Sequence, residues 1–81
     1  VVAFRSRMHT VKFHEFLKSN GIYTEIVNTP KEAGVGCGLS VQFKKSDYFS
    51  VRRALSLLNL NSFAGVFSVK LTAGKKVVKS I

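Results

Sequence analysis

Tryptophan is absent from this 81-residue chain, and proline, cysteine and methionine occur once each. One cysteine cannot close an internal disulfide, which excludes a stapled secreted scaffold and makes a reducing cytoplasm the expected compartment. A lone proline leaves no proline-rich linker. No apolar run approaches bilayer-spanning length and no signal-peptide pattern opens the chain, so no membrane association is expected. The first residue is Val1 rather than methionine, which points to a processed or trimmed form. Acids are also scarce: Glu15, Glu25, Glu32 and Asp47 are spread over different elements, so paired-carboxylate catalysis has no support.

What is present is a hydrophobic fraction of 46% with seven phenylalanines, enough for one compact core. A chain this short buries only about 60 to 65% of its unfolded surface, which leaves little room for a deep substrate cavity. Thirteen lysines and arginines against four acids give a formal charge of +9, which attracts nucleic acid, acidic proteins or anionic lipid at long range. Lys75, Lys76 and Lys79 fall in "AGKKVVKSI" and read as a solvated basic tail over 74–81, behind a single domain over 1–73.

The periodicity alternates between two and 3.6. "VVAFRS" reads as a first strand, and "TVKFHEFLKSN", with Phe13, Phe16 and Leu17 on one face and Gly21 at its end, as a helix. "IYTEIVNTP" is a second strand stopped by Pro30, and "LSVQFKK" a third with Leu39, Val41 and Phe43 on one side. Ser46 or Asp47 caps a second helix, "YFSVRRALSLLN", and "FAGVFSVKL" is a fourth strand with Phe67 and Val69 inward. The order βαββαβ is that of an α+β, ferredoxin-like fold, a four-stranded antiparallel sheet with both helices on one face. Gly65 is the residue at which a bulge would flip the register of the last strand.

This order places the cysteine. Right-handed crossovers give the strand order four, one, three, two, so Cys37, just before strand three, faces the turn "SRMHT" after strand one. Arg7 and His9 belong to that turn and Lys31 to the facing loop, next to a helix N-terminus that favours an anion. A thiolate there gains interactions that the neutral thiol does not, and thiolate is the reactive form. Gly36 and Gly38 strip side chains from either side of Cys37 and open it to a second macromolecule. The other reading is an inert cysteine beside two glycines that serve only a tight turn.

Residues 3–43, "AFRSRMHTVKFHEFLKSNGIYTEIVNTPKEAGVGCGLSVQF", resemble the selenium/sulfur carrier-like family of small bacterial domains. These have an "F-x-S" start, a helix, a "Gly-Ile" into strand two, and a proline separated by six residues from "C-G-L". The resemblance implies that Cys37 is the carrier thiol, holding sulfur or selenium as a persulfide or selenenylsulfide, and that Phe4 and Ser6 match the family's first-strand motif. It implies donor and acceptor proteins as partners of a carrier, monomeric or weakly dimeric, rather than an enzyme. The strong positive charge departs from the family pattern.

His9 and His14, five residues apart, do not complete a metal set with Cys37, and no cofactor is expected. "AGVGCG" lacks the Lys-Ser/Thr ending of a phosphate loop and leads into a strand. The rival to a carrier is a basic RNA-binding or protein-interaction module with a structural cysteine, using Arg52, Arg53, Lys75 and Lys76. Ser40, Gln42 and Lys44 on the open side of strand three supply no stacking rings for the usual sheet-face RNA recognition.

Overall fold

The computed structural model describes residues 1–34 and 36–81. The elements run β1 (Val2–Phe4), α1 (Arg7–Ser19), β2 (Thr24–Asn28), a 3-10 turn (Lys31–Ala33), β3 (Leu39–Phe43), a second 3-10 turn (Lys45–Asp47), α2 (Tyr48–Leu58), β4 (Phe63–Thr72) and β5 (Lys75–Ser80). All strand pairs are antiparallel, in the order β2-β3-β1-β4-β5.

Ser6 starts α1 three residues earlier than its apolar spacing suggests. Its hydroxyl accepts from the His9 amide at 3.2 Å and its carbonyl accepts from the Thr10 amide at 3.1 Å, the side-chain and backbone bonds that define a helix start. "SRMHT" is therefore a cap and the first helical turn, not a connecting turn. At the other end the Gly21 amide bonds Lys18 O and the Ile22 amide bonds Leu17 O, at 3.1 and 3.0 Å, which is a Schellman stop.

Phe13 and Leu17 of α1, Val51 and Ala54 of α2, and Val2, Phe4, Val41 and Val66 of the sheet form one buried cluster. Both helices thus pack on the same sheet face. The order of the first four strands is the expected one, but the four-stranded ferredoxin-like expectation is corrected by a fifth strand. Residues 75–80, read from sequence as tail, pair with β4 from Thr72↔Lys75 to Phe67↔Ser80. The connection is the two-residue loop Ala73–Gly74, with φ of 51° and 77°, the positive values of a turn whose twist matches the strands it joins.

The inward face of β4 is also corrected. The register slips between Ala3 and Phe4, pairing Ala3 with Gly65 but Phe4 with Phe63. This irregularity turns Val66 into the core in place of Phe67 and leaves Val69 38% exposed. The Phe67 ring lies over Gly65, where an added Cβ would sit 3.0 Å from it. Ile26 is exposed on the edge strand β2.

The second face of the sheet is not bare. Ala3 and Ser40, which point away from the helices, are fully buried. Ser40 shares a 2.7 Å hydroxyl bond with Thr29, and the Lys31–Ala33 turn reaches β5. The segment after β2 therefore folds back over this face before entering β3.

Candidate functional site: the Cys37 loop

Two backbone bonds fix the loop. The Cys37 amide donates to Phe4 O at 3.0 Å, and the Thr29 amide donates to Gly38 O at 2.9 Å. The cysteine is thereby held at the end of β1, against the first turn of α1, where the strand order places it. Gly36 comes so close to β1 that an added Cβ would lie 3.1 Å from Phe4 O and 3.5 Å from the Ala3 Cβ; Gly38, at φ +94°, has open space around it. The two glycines thus differ: Gly36 permits a close backbone approach, while Gly38 supplies a left-handed conformation with nothing near it.

Cys37 is half-buried and unpaired. Its Sγ lies 3.7 Å from Thr10 Oγ1 and 3.7 Å from Leu39 O, within the longer reach of sulfur hydrogen bonds. Thr10 is fully buried and its hydroxyl also donates to Ser6 O at 3.1 Å. Thr10 is thus the side chain in polar contact with the sulfur, and the sequence reading missed it. Its signal is its spacing: Thr10, Phe13 and Leu17 share the inward face of α1.

The supporting residues expected around the thiol are brought near it to different degrees. Ser6 acts one step away, by capping the turn that carries Thr10. His9 Nδ1 bonds Ser62 Oγ at 2.5 Å, so this nitrogen is committed to the loop before β4 and not to Cys37. Arg7 is exposed, and no hydrogen bond joins it to the cysteine among the described residues. Lys31 does lie beside the loop, together with Arg5, which was not singled out. With Thr29, Pro30 and the backbone of Gly34, Gly36 and Gly38 they line a shallow cleft of about 590 Å³. His14 is half-buried, with Nδ1 2.8 Å from Thr24 Oγ1.

The residues of the alternative basic contact are spread over α2 and β5. Arg52 and Arg53 are exposed on α2, while Lys75 and Lys76 are neighbours in β5 and so point to opposite faces. Among the described residues, no group of three or more His, Cys, Asp or Glu side chains could hold a metal ion, and no helix is long and apolar enough to cross a membrane.

A cysteine held by backbone bonds between a strand end and a helix start, half-open to solvent, defines a small thiol-bearing α+β domain. Residues 1–61 match the family model described as "Putative Se/S carrier protein-like", and the chain belongs to that family. No curated protein and no solved structure matches the chain.

Proposed function

We propose that this domain carries sulfur or selenium on Cys37 between a donor and an acceptor protein. The observation that carries the reading is the placement of a half-buried, unpaired thiol on a loop anchored to Phe4 O, with Thr10 Oγ1 in polar contact. Family membership supports it. A carrier thiol has to be reachable by two macromolecules in turn, yet shielded enough that its cargo is not lost to solvent thiols, and partial burial meets both demands.

Loading is an exchange without net oxidation. The Cys37 thiolate attacks the terminal sulfur of a donor persulfide, a new S–S bond forms at Cys37, the donor's S–S bond breaks, and the donor cysteine leaves as thiolate. With selenium as the terminal atom the same exchange leaves a selenenylsulfide. Unloading repeats the attack from the acceptor thiolate on the outer atom. Arg5 and Lys31 beside the loop give an acidic donor surface its contact. The domain turns over no substrate of its own in this scheme.

The test is intact mass measurement after incubation with a cysteine desulfurase and cysteine, alongside iodoacetamide alkylation of the folded protein. Gain of one sulfur atom by the native chain and none by Cys37→Ser is the expected result. A thiol that alkylates only after unfolding, or that never gains sulfur, overturns the reading and leaves a structural cysteine.

A further inference from the structure

The most open aromatic side chain of the domain lies far from Cys37. Phe49, in the first turn of α2, is 83% exposed, and a large ring turned into water without a partner is unfavourable. It stacks edge-on against Tyr48, with ring centroids 5.6 Å apart. Both line a cleft of about 650 Å³ with Phe43, Gln42, Lys45 and Lys70. Phe43 and Tyr48 are steadied by packing on the core cluster.

The hairpin extends this cleft with charge. The pairing on the β1 side of β4 ends at Phe67, which exchanges two backbone bonds with Val1, so beyond Phe67 β4 is joined to β5 alone. Lys70 pairs with Val77, Thr72 with Lys75 and Ser68 with Lys79. Directly opposed residues share a face, as do residues two apart. Lys70, Lys75 and Lys79 therefore project from one side of the ribbon, the side that also carries Val66 into the core. Phe67, Val69, Leu71 and Val78 take the other. Three lysines on one face repel one another when the domain is alone, and no acid lines the cleft they adjoin.

From this we infer that the Phe49 cleft and the lysine face of the β4–β5 hairpin form a binding surface for single-stranded nucleic acid. Flat rings beside a cationic track are what unpaired bases and their phosphates require: bases stack on the rings and lysines neutralise the backbone. An acidic protein would meet the lysines but has no general use for a stacking platform, and a duplex hides its base faces. The cleft lies where α2 meets the ends of β3 and β4, and its rings are Phe43, Tyr48 and Phe49 rather than a row across the open face of strands one and three, the arrangement that the sequence fails.

Fluorescence anisotropy of a 5′-labelled twelve-residue oligouridylate tests this, with a labelled RNA duplex of the same length and heparin as competitors. The expected result is binding to the single strand that falls steeply between 50 and 200 mM salt. Phe49→Ala should weaken it roughly tenfold, the lower part of the range for a lost stacking contact of about 1 to 3 kcal/mol. Lys70→Ala/Lys75→Ala/Lys79→Ala should reduce both affinity and salt slope. These positions are exposed, and unchanged circular dichroism verifies that the variants fold. Cys37→Ser should bind as the native chain does, which separates this surface from the carrier reading. Binding of the duplex as tightly as the single strand, or a Phe49→Ala variant that binds like the native chain, overturns the proposal and leaves a nonspecific polyanion effect.

Discussion

Around the sulfur atom the decisive detail is a single hydrogen. Thr10 Oγ1 donates to Ser6 O and so turns a lone pair toward the Cys37 sulfur, which suits a protonated thiol. A thiolate in the same place faces two acceptors, Thr10 Oγ1 and Leu39 O, unless the Thr10 hydroxyl swings its hydrogen from the carbonyl to the sulfur. Thr10→Val keeps the shape and removes that option. Because a hydrogen bond to a charged group contributes about 1.5 to 3 kcal/mol at good geometry and less at this length, alkylation at neutral pH should slow by about fivefold. Thr10→Ser should restore the rate, and equal rates for native and Thr10→Val proteins would remove Thr10 from the mechanism. The flanking glycines separate by the same kind of reasoning. Gly38→Ala meets only the left-handed penalty of about 1 to 2 kcal/mol. Gly36→Ala adds contact with a backbone carbonyl 3.1 Å away, which overpacking data put at about 1 to 3 kcal/mol more. Urea denaturation should therefore rank Gly36→Ala as the less stable variant; the reverse order contradicts the close approach to β1. The place of Cys37 was legible in the sequence because strand order alone sets which chain ends meet. The roles of His9 and Thr10 were not, because they depend on where α1 begins, and apolar spacing marks the buried face of a helix rather than its first turn.

At the level of elements, the hairpin is where sequence and structure part. "TAGKKVVKSI" carries its strand signal in Val77 and Val78 and its turn signal in Gly74, but three lysines in six residues read as a solvated tail. What makes it a strand is tertiary: β1 covers one edge of β4, so the ladder groups of the other edge, such as Val66 O, which accepts from the Ile81 amide, need a partner of their own. The inward residue of β4 was hidden for a related reason, since alternation gives period but not phase, and the slip at Ala3/Phe4 sets the phase. The body of each helix and the first three strands were readable from their apolar spacing, with Gly21 and Pro30 as local stops, whereas the start of α1 at Ser6 was not. The hairpin turn offers a direct check. Ala73 sits at φ 51°, where a side chain with a Cβ is strained by about 1 to 2 kcal/mol and asparagine is tolerated. Ala73→Asn creates the Asn-Gly pair favoured in such turns and should raise stability by about 0.5 to 1 kcal/mol in urea denaturation. Loss of stability would mean that β4 and β5 are not joined by this turn in solution.

For the molecule as a whole, charge sets the conditions under which everything else operates. Four acids can neutralise at most four of thirteen cations, so nine remain uncompensated however the side chains arrange themselves. The domain measures 36 × 24 × 18 Å. At 0.01 M ionic strength the screening length is about 30 Å, so every cation feels nearly every other, whereas at 0.1 M it is about 10 Å and only neighbours interact. Folding concentrates these charges, and the lysine face of the hairpin concentrates three of them further, so repulsion disfavours the compact state most at low salt. The sign follows: added salt should stabilise this protein. If screening relieves about 1 kcal/mol, the midpoint of thermal unfolding rises by about 4 to 8 °C for a domain of this size. Calorimetry or circular dichroism at neutral pH in 10 and 100 mM sodium chloride measures it. Lys70→Ala, which removes the lysine between Lys75 and Lys79, should show a smaller rise than the native chain. Acidification that protonates the four carboxylates should enlarge it, because the last compensating charges are then gone. A midpoint that falls with salt would show that attractive pairs outweigh the repulsion, and the lysines of the hairpin would then be partnered within the chain rather than held free for a polyanion.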